Sequence, residues 1–163
     1  MKSLLRLNAF KIYNLLLIFV FSVIASVTNL YPLLYLIFYC FFHFIIIYLG
    51  IYYYRKILYL IFFTYGIFLD IYLSGEIGPH LFIFILLLIF LNLTLKFFYN
   101  LNSFKIYILI VILKIIIIIS ETMFAYFIIN LNVNKHDLAK LLFLSIILSF
   151  PFFYLFSKID KLK

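Results

Sequence analysis

The chain has 163 residues, 69% of them apolar and 11% charged, with a formal net charge of +8 and one cysteine. That balance inverts the one found in soluble domains and leaves too little polar surface to face water, so lipid is the expected solvent. At roughly 20 apolar residues per crossing there is room for about five to seven spans and no extramembrane domain.

The fold class expected is therefore all-α, a polytopic membrane protein of about six transmembrane helices forming one transmembrane domain. The basic residues stand singly or in pairs between apolar runs rather than in a stripe, which reads as a topology signal and not as a nucleic-acid surface. Cys40 lies inside an apolar run, which excludes a disulfide framework and a cysteine metal site. The 23 Phe and 15 Tyr, together with abundant Ile, Asn and Lys and no Trp, have the bias of AT-rich coding, so they say little about stacking surfaces.

In chain order, Lys2, Arg6 and Lys11 precede the first predicted span, residues 12–30. A basic start followed by an apolar run also has the layout of a cleaved signal peptide. The run is long for one, and a second apolar run follows almost at once. Pro32 suits the first turn of the second span, residues 33–54, which contains Cys40 and His43. Arg55 and Lys56 separate it from the third, residues 57–73. Residues 74–80, Ser-Gly-Glu-Ile-Gly-Pro-His, form the densest cluster of turn residues in the chain. Residues 81–98 make a fourth span completed by a snorkelling Lys96, and residues 106–131 a long, tilted fifth. A polar connection through Asn134 and Asp137 leads to the sixth, residues 138–156, which Pro151 is expected to bend.

With both termini and the even-numbered loops on one side, Lys2, Arg6, Lys11, Arg55, Lys56, Lys96, Lys105, Lys158, Lys161 and Lys163 gather there, and only Lys135 and Lys140 lie opposite. The positive-inside rule then puts both ends in the cytoplasm and residues 74–80 outside.

Asp70, Lys114 and Glu121 are the ionisable residues within spans that ask for a reason. Asp70, near the end of the third, is costly in hydrocarbon unless paired or wetted. Two readings stand: a buried contact shaping the helix end or engaging a partner, and an interfacial carboxylate hydrated at the membrane surface. Lys114 and Glu121 are seven residues apart on one face of the fifth helix. They read either as an intramembrane polar pair, with Asp70 or along a proton or substrate path, or as a snorkelling lysine and a locally paired glutamate. His43, His80 and His136 lack ligand spacing, so no metal is expected. With no nucleophile elbow, phosphate loop or H-E-x-x-H, neither a cofactor nor a catalytic residue is expected.

The stretch from Gly66 through Asp70, Ser74 and Gly75 to Gly78, followed at once by the run from Leu81, resembles the signature of the MreD family of rod shape-determining proteins. The Gly66–Asp70 and Asp70–Gly78 spacings, the length and the span number fit, whereas Ser74-Gly75 sits one residue late. The resemblance implies a non-enzymatic subunit of the bacterial inner membrane, part of the cell-shape (elongation) complex that organises peptidoglycan synthesis. It also implies the partners: a bitopic MreC-like protein, the actin-like MreB filament and peptidoglycan synthases. The motif would set the break between the third and fourth spans. That family's fold is similar to the small substrate-binding subunits of energy-coupling-factor vitamin transporters, which supplies the rival expectation of a vitamin-binding subunit. Its cavity would draw on residues 74–80, Asn130, Asn132 and Glu121. A small ion or proton transporter using Asp70, Lys114 and Glu121 is the third.

Overall fold

Prolines open two of the helices in the computed structural model, which describes residues 2–27, 32–74, 78–98, 101–129 and 134–161. The helices are α1 (Lys2–Val27), α2 (Pro32–Tyr52), α3 (Ile57–Ser74), α4 (Pro79–Phe98), α5 (Ser103–Ile129) and α6 (Lys135–Lys161). Pro32 and Pro79 occupy first helical positions, where a missing N–H costs nothing and the fixed φ is already helical. Asn134 caps α6 through its side chain, which accepts from the His136 amide at 3.1 Å. Among the described residues there is no strand.

Among the described residues, three helices are long and apolar enough to cross a membrane: α2, α5 over Ser103–Phe127 and α6 over Lys135–Asp160. Apolar stretches of α1, α3 and α4, at Phe10–Ser26, Ile57–Leu73 and Pro79–Thr94, are shorter. Helix suits such sequences because it pairs every backbone group within the segment, as a non-aqueous solvent demands. The predicted segments match the helices within a few residues except at the chain ends. There α1 begins before residue 12 and α6 continues past Phe156 to Lys161.

α2 is the centre of the bundle, packed against α1, α4, α5 and α6, while α3 packs chiefly on α4. Every residue of α2 from Phe42 to Ile51 is buried. Two glycines permit close approach. A Cβ on Gly50 would meet Leu91 Cδ1 at 2.3 Å, and one on Gly66 would meet the Leu81 Cα at 2.7 Å. The polarity is inside out: large apolar side chains such as Leu15, Leu60, Leu93, Phe127 and Phe143 are exposed, whereas His43, Asp70, Lys114 and Glu121 are buried.

Candidate functional site

Three of the motif residues, Gly66, Asp70 and Gly78, form one device where the end of α3 meets the start of α4. Asp70 is 0% exposed, and its carboxylate accepts from the amides of Gly78 (3.0 Å), His80 (2.9 Å) and Leu81 (3.0 Å). A helix start leaves its first amides without intrahelical partners, and here Pro79 has none to offer. One carboxylate thus covers the donors at the head of α4, from eight to eleven residues upstream, in place of a local N-cap. The negative charge also sits at the positive end of the helix dipole. Gly66, one turn before Asp70 on the same face, lets the α4 backbone approach closely enough for those bonds. Of the two readings of Asp70, the structure shows the buried contact that shapes a helix end. Gly75 and the side chain of Ser74 lie outside the described residues.

From Asp70 a chain of buried polar groups crosses the bundle. His80 Nδ1 lies 2.8 Å from Asp70 Oδ1, and His80 Nε2 lies 2.9 Å from the Tyr39 hydroxyl. That hydroxyl donates to Glu121 Oε2 at 2.8 Å, and Glu121 meets His43 Nε2 at 3.0 Å through both oxygens. His43 Nδ1 is 2.9 Å from the Tyr39 carbonyl, which can only accept, so Nδ1 carries a proton. One further proton is then held between His43 Nε2 and Glu121. Every hydrogen bond is satisfied when His80 donates from both nitrogens, to Asp70 and to Tyr39. The chain draws on α2, α3, α4 and α5 and can hold and relay protons.

Lys114 and Glu121 both point into the core, yet they take different partners. Lys114 Nζ donates to the Ser145 carbonyl at 3.0 Å and to Ser149 Oγ at 3.4 Å, both on α6. Seven residues along a helix separate two Cα atoms by about 10 Å, which puts each side chain against a different neighbour. Nor does Lys114 snorkel; it is 0% exposed.

At the opposite end, Asp160 gathers three phenols: Tyr13 at 2.8 Å, Tyr48 at 2.5 Å and Tyr53 at 2.6 Å. This ties the end of α6 to α1 and to the end of α2, and it accounts for the helix continuing past Phe156. Beside that cluster, the Tyr54 phenol in the α2–α3 connection is pushed up to about 12 by burial and its bond to Tyr59.

A cavity of about 180 Å³ includes Tyr39, His80, Glu121 and Thr122 in its lining. Among the described residues, no three His, Cys, Asp or Glu side chains converge as a metal site requires. Sequence reasoning kept the histidines apart and overlooked Tyr39, Ser145, Ser149 and Asp160. The i, i+4 pair Tyr39 and His43 was the one local signal that α2 carries a polar face. In comparisons with known proteins, no family model, no curated protein and no solved structure matches this chain.

Proposed function

We propose that the chain is a non-enzymatic, six-span subunit of a bacterial cell-shape complex of the MreD type. Both termini would be cytoplasmic, and the α3–α4 turn would lie on the outer face of the inner membrane. The observation that carries this reading is the joint geometry of Gly66, Asp70 and Gly78. These three of the five residues on which the resemblance rests meet at the start of α4, which supports the helix-break role that the resemblance implies. A chain with so little mass outside its helices acts through helix faces and short turns, and the carboxylate-capped start of α4 is a surface on which a partner can dock. Its partners are then a bitopic MreC-like protein, an actin-like filament and peptidoglycan synthases.

A second reading, a small proton or ion transporter, draws on the continuous chain from Asp70 to His43. The cavity beside it is about 180 Å³, below the roughly 300–1,000 Å³ of small-molecule sites; residues 75–77, Asn130 and Asn132, on which a vitamin-binding cavity would draw, lie outside the described residues. The deciding experiment is purification of the tagged chain from its native membrane, with mass spectrometry of what co-purifies. Recovery of a bitopic coiled-coil protein, an actin-like filament protein or a peptidoglycan synthase is expected, and its loss with Asp70→Asn would tie binding to the turn. Recovery of ATPase subunits alone would overturn the cell-shape reading.

A further inference from the structure

Between α1 and α3 the bundle is open. Two cavities of about 520 and 490 Å³ share Asn14 and Ile18, and so adjoin end to end as a groove along α1. Its α1 wall runs through Phe10, Asn14, Ile18 and Phe21, a single helical face. Its α3 wall runs through Ile57, Ile61 and Phe68 in the same way. The groove stops where Phe21 packs on Tyr65 and Phe68, with ring centroids 5.7 and 6.0 Å apart. Beyond that point the Tyr72 hydroxyl bonds to the Ala25 carbonyl, drawing the two helices together.

From Phe10 to Phe21 is eleven residues, or about 17 Å of helix, close to half of a hydrocarbon core about 30 Å thick. The groove is therefore one leaflet deep and closed near the bilayer midplane. At its mouth stand Lys11 and Arg55, the latter over the Phe10 ring at 5.3 Å. Among the described residues neither cation has a carboxylate within ion-pair distance.

We infer that this groove holds one acyl chain of an anionic phospholipid, with the headgroup phosphate on Lys11 and Arg55. A partner transmembrane helix would need an open path through both leaflets, whereas this groove is blocked halfway by Phe21, Tyr65 and Phe68. Two cations with no carboxylate partner among the described residues, over a slot one chain long, match a phosphate joined to a hydrocarbon tail. The inference rests on the membrane reading alone, and its failure would leave the cell-shape reading untouched.

The chain has no Trp, so an introduced one reports without background. Phe68→Trp places the reporter at the closed end, where Phe68 is 55% exposed and the larger ring fits. Phe150→Trp, at 66% exposed on α6, reports on bulk lipid. Each variant is reconstituted in phosphatidylcholine vesicles containing increasing fractions of chain-brominated phosphatidylglycerol or chain-brominated phosphatidylcholine. The Phe68 reporter should be quenched by the anionic lipid at about a fivefold lower mole fraction or less, the increment expected of even one cation at a charged surface. The Phe150 reporter should not distinguish the two lipids. Lys11→Gln with Arg55→Gln should abolish the preference at position 68. Equal quenching by both lipids there, a preference that survives loss of both cations, or a reporter that neither lipid reaches because protein fills the slot would each overturn the inference.

Discussion

Asparagine at position 70 keeps the shape of the aspartate and removes its charge, which isolates the electrostatic part of the α4 cap. Among the described residues, four donors converge on the carboxylate: the amides of Gly78, His80 and Leu81 and the His80 ring. Bonds to a charged acceptor contribute about 1.5–3 kcal/mol each, against about 0.5–1.5 for neutral ones. The amide side chain also has one acceptor oxygen where the carboxylate has two, so part of the donor set faces an NH₂ group instead. Together these put the local loss at about 3 kcal/mol, or about two powers of ten in the opening equilibrium of the first turn of α4. Hydrogen–deuterium exchange of the chain in lipid nanodiscs reads this directly. Peptides covering Gly78 to Leu81 should exchange about a hundredfold faster in Asp70→Asn, while those from mid-α5 stay at the native rate. Unchanged protection would refute the capping argument. Uniform loss in every helix would refute the claim that the device is local.

Gly66→Ala and Gly50→Ala should part company, because the first pushes on the Leu81 backbone and the second only on a flexible Leu91 methyl. Denaturant titration in detergent should show a loss of about 1–2 kcal/mol for the former and near neutrality for the latter, once the gain in helix propensity is included. In double-mutant cycles read by the same titration, His43→Gln with Glu121→Gln should couple by more than about 1 kcal/mol, while Lys114→Met with Glu121→Gln should add independently. A large coupling in the second cycle would mean that Lys114 and Glu121 interact after all. Asp160→Asn should loosen α6 from α1 and α2 at a cost of about 2 kcal/mol, seen as faster exchange in the last turns of α6 with α4 unaffected. An unaltered α6 would show that the three phenols stabilise little.

Hydropathy carried most of the architecture. The apolar run lengths and the breaks at Pro32, Arg55-Lys56 and Pro79 placed the helices, because lipid leaves the backbone few alternatives. The role of Asp70 was half legible, since its cost in hydrocarbon marked it and its spacing from Gly66 put both on one face. Nothing local showed that its partners are backbone amides, which belong to the turn and not to any residue type. The chain through His80, Tyr39, Glu121 and His43 was hidden by distance, with Tyr39 and Glu121 82 positions apart. Periodicity places each on a helix face but not opposite the others. The pairing suggested for Lys114 and Glu121 rested on their shared face: both side chains are buried, but the partners of Glu121 come from α2 and those of Lys114 from α6.

The position of α2 at the centre sets a problem of timing during synthesis. It leaves the ribosome second, yet α4, α5 and α6, which cover most of it, are made afterwards. His43 meets its carboxylate only when Glu121 has been translated, 78 residues later. At about 5–20 residues per second that interval lasts roughly 4–16 s. For that time a helix destined for a protein interior sits beside lipid or within the insertion machinery, with an imidazole and several phenols uncovered. Chains interrupted before α5 would keep that polar face exposed, offering membrane quality control a mark by which to separate unfinished from finished molecules.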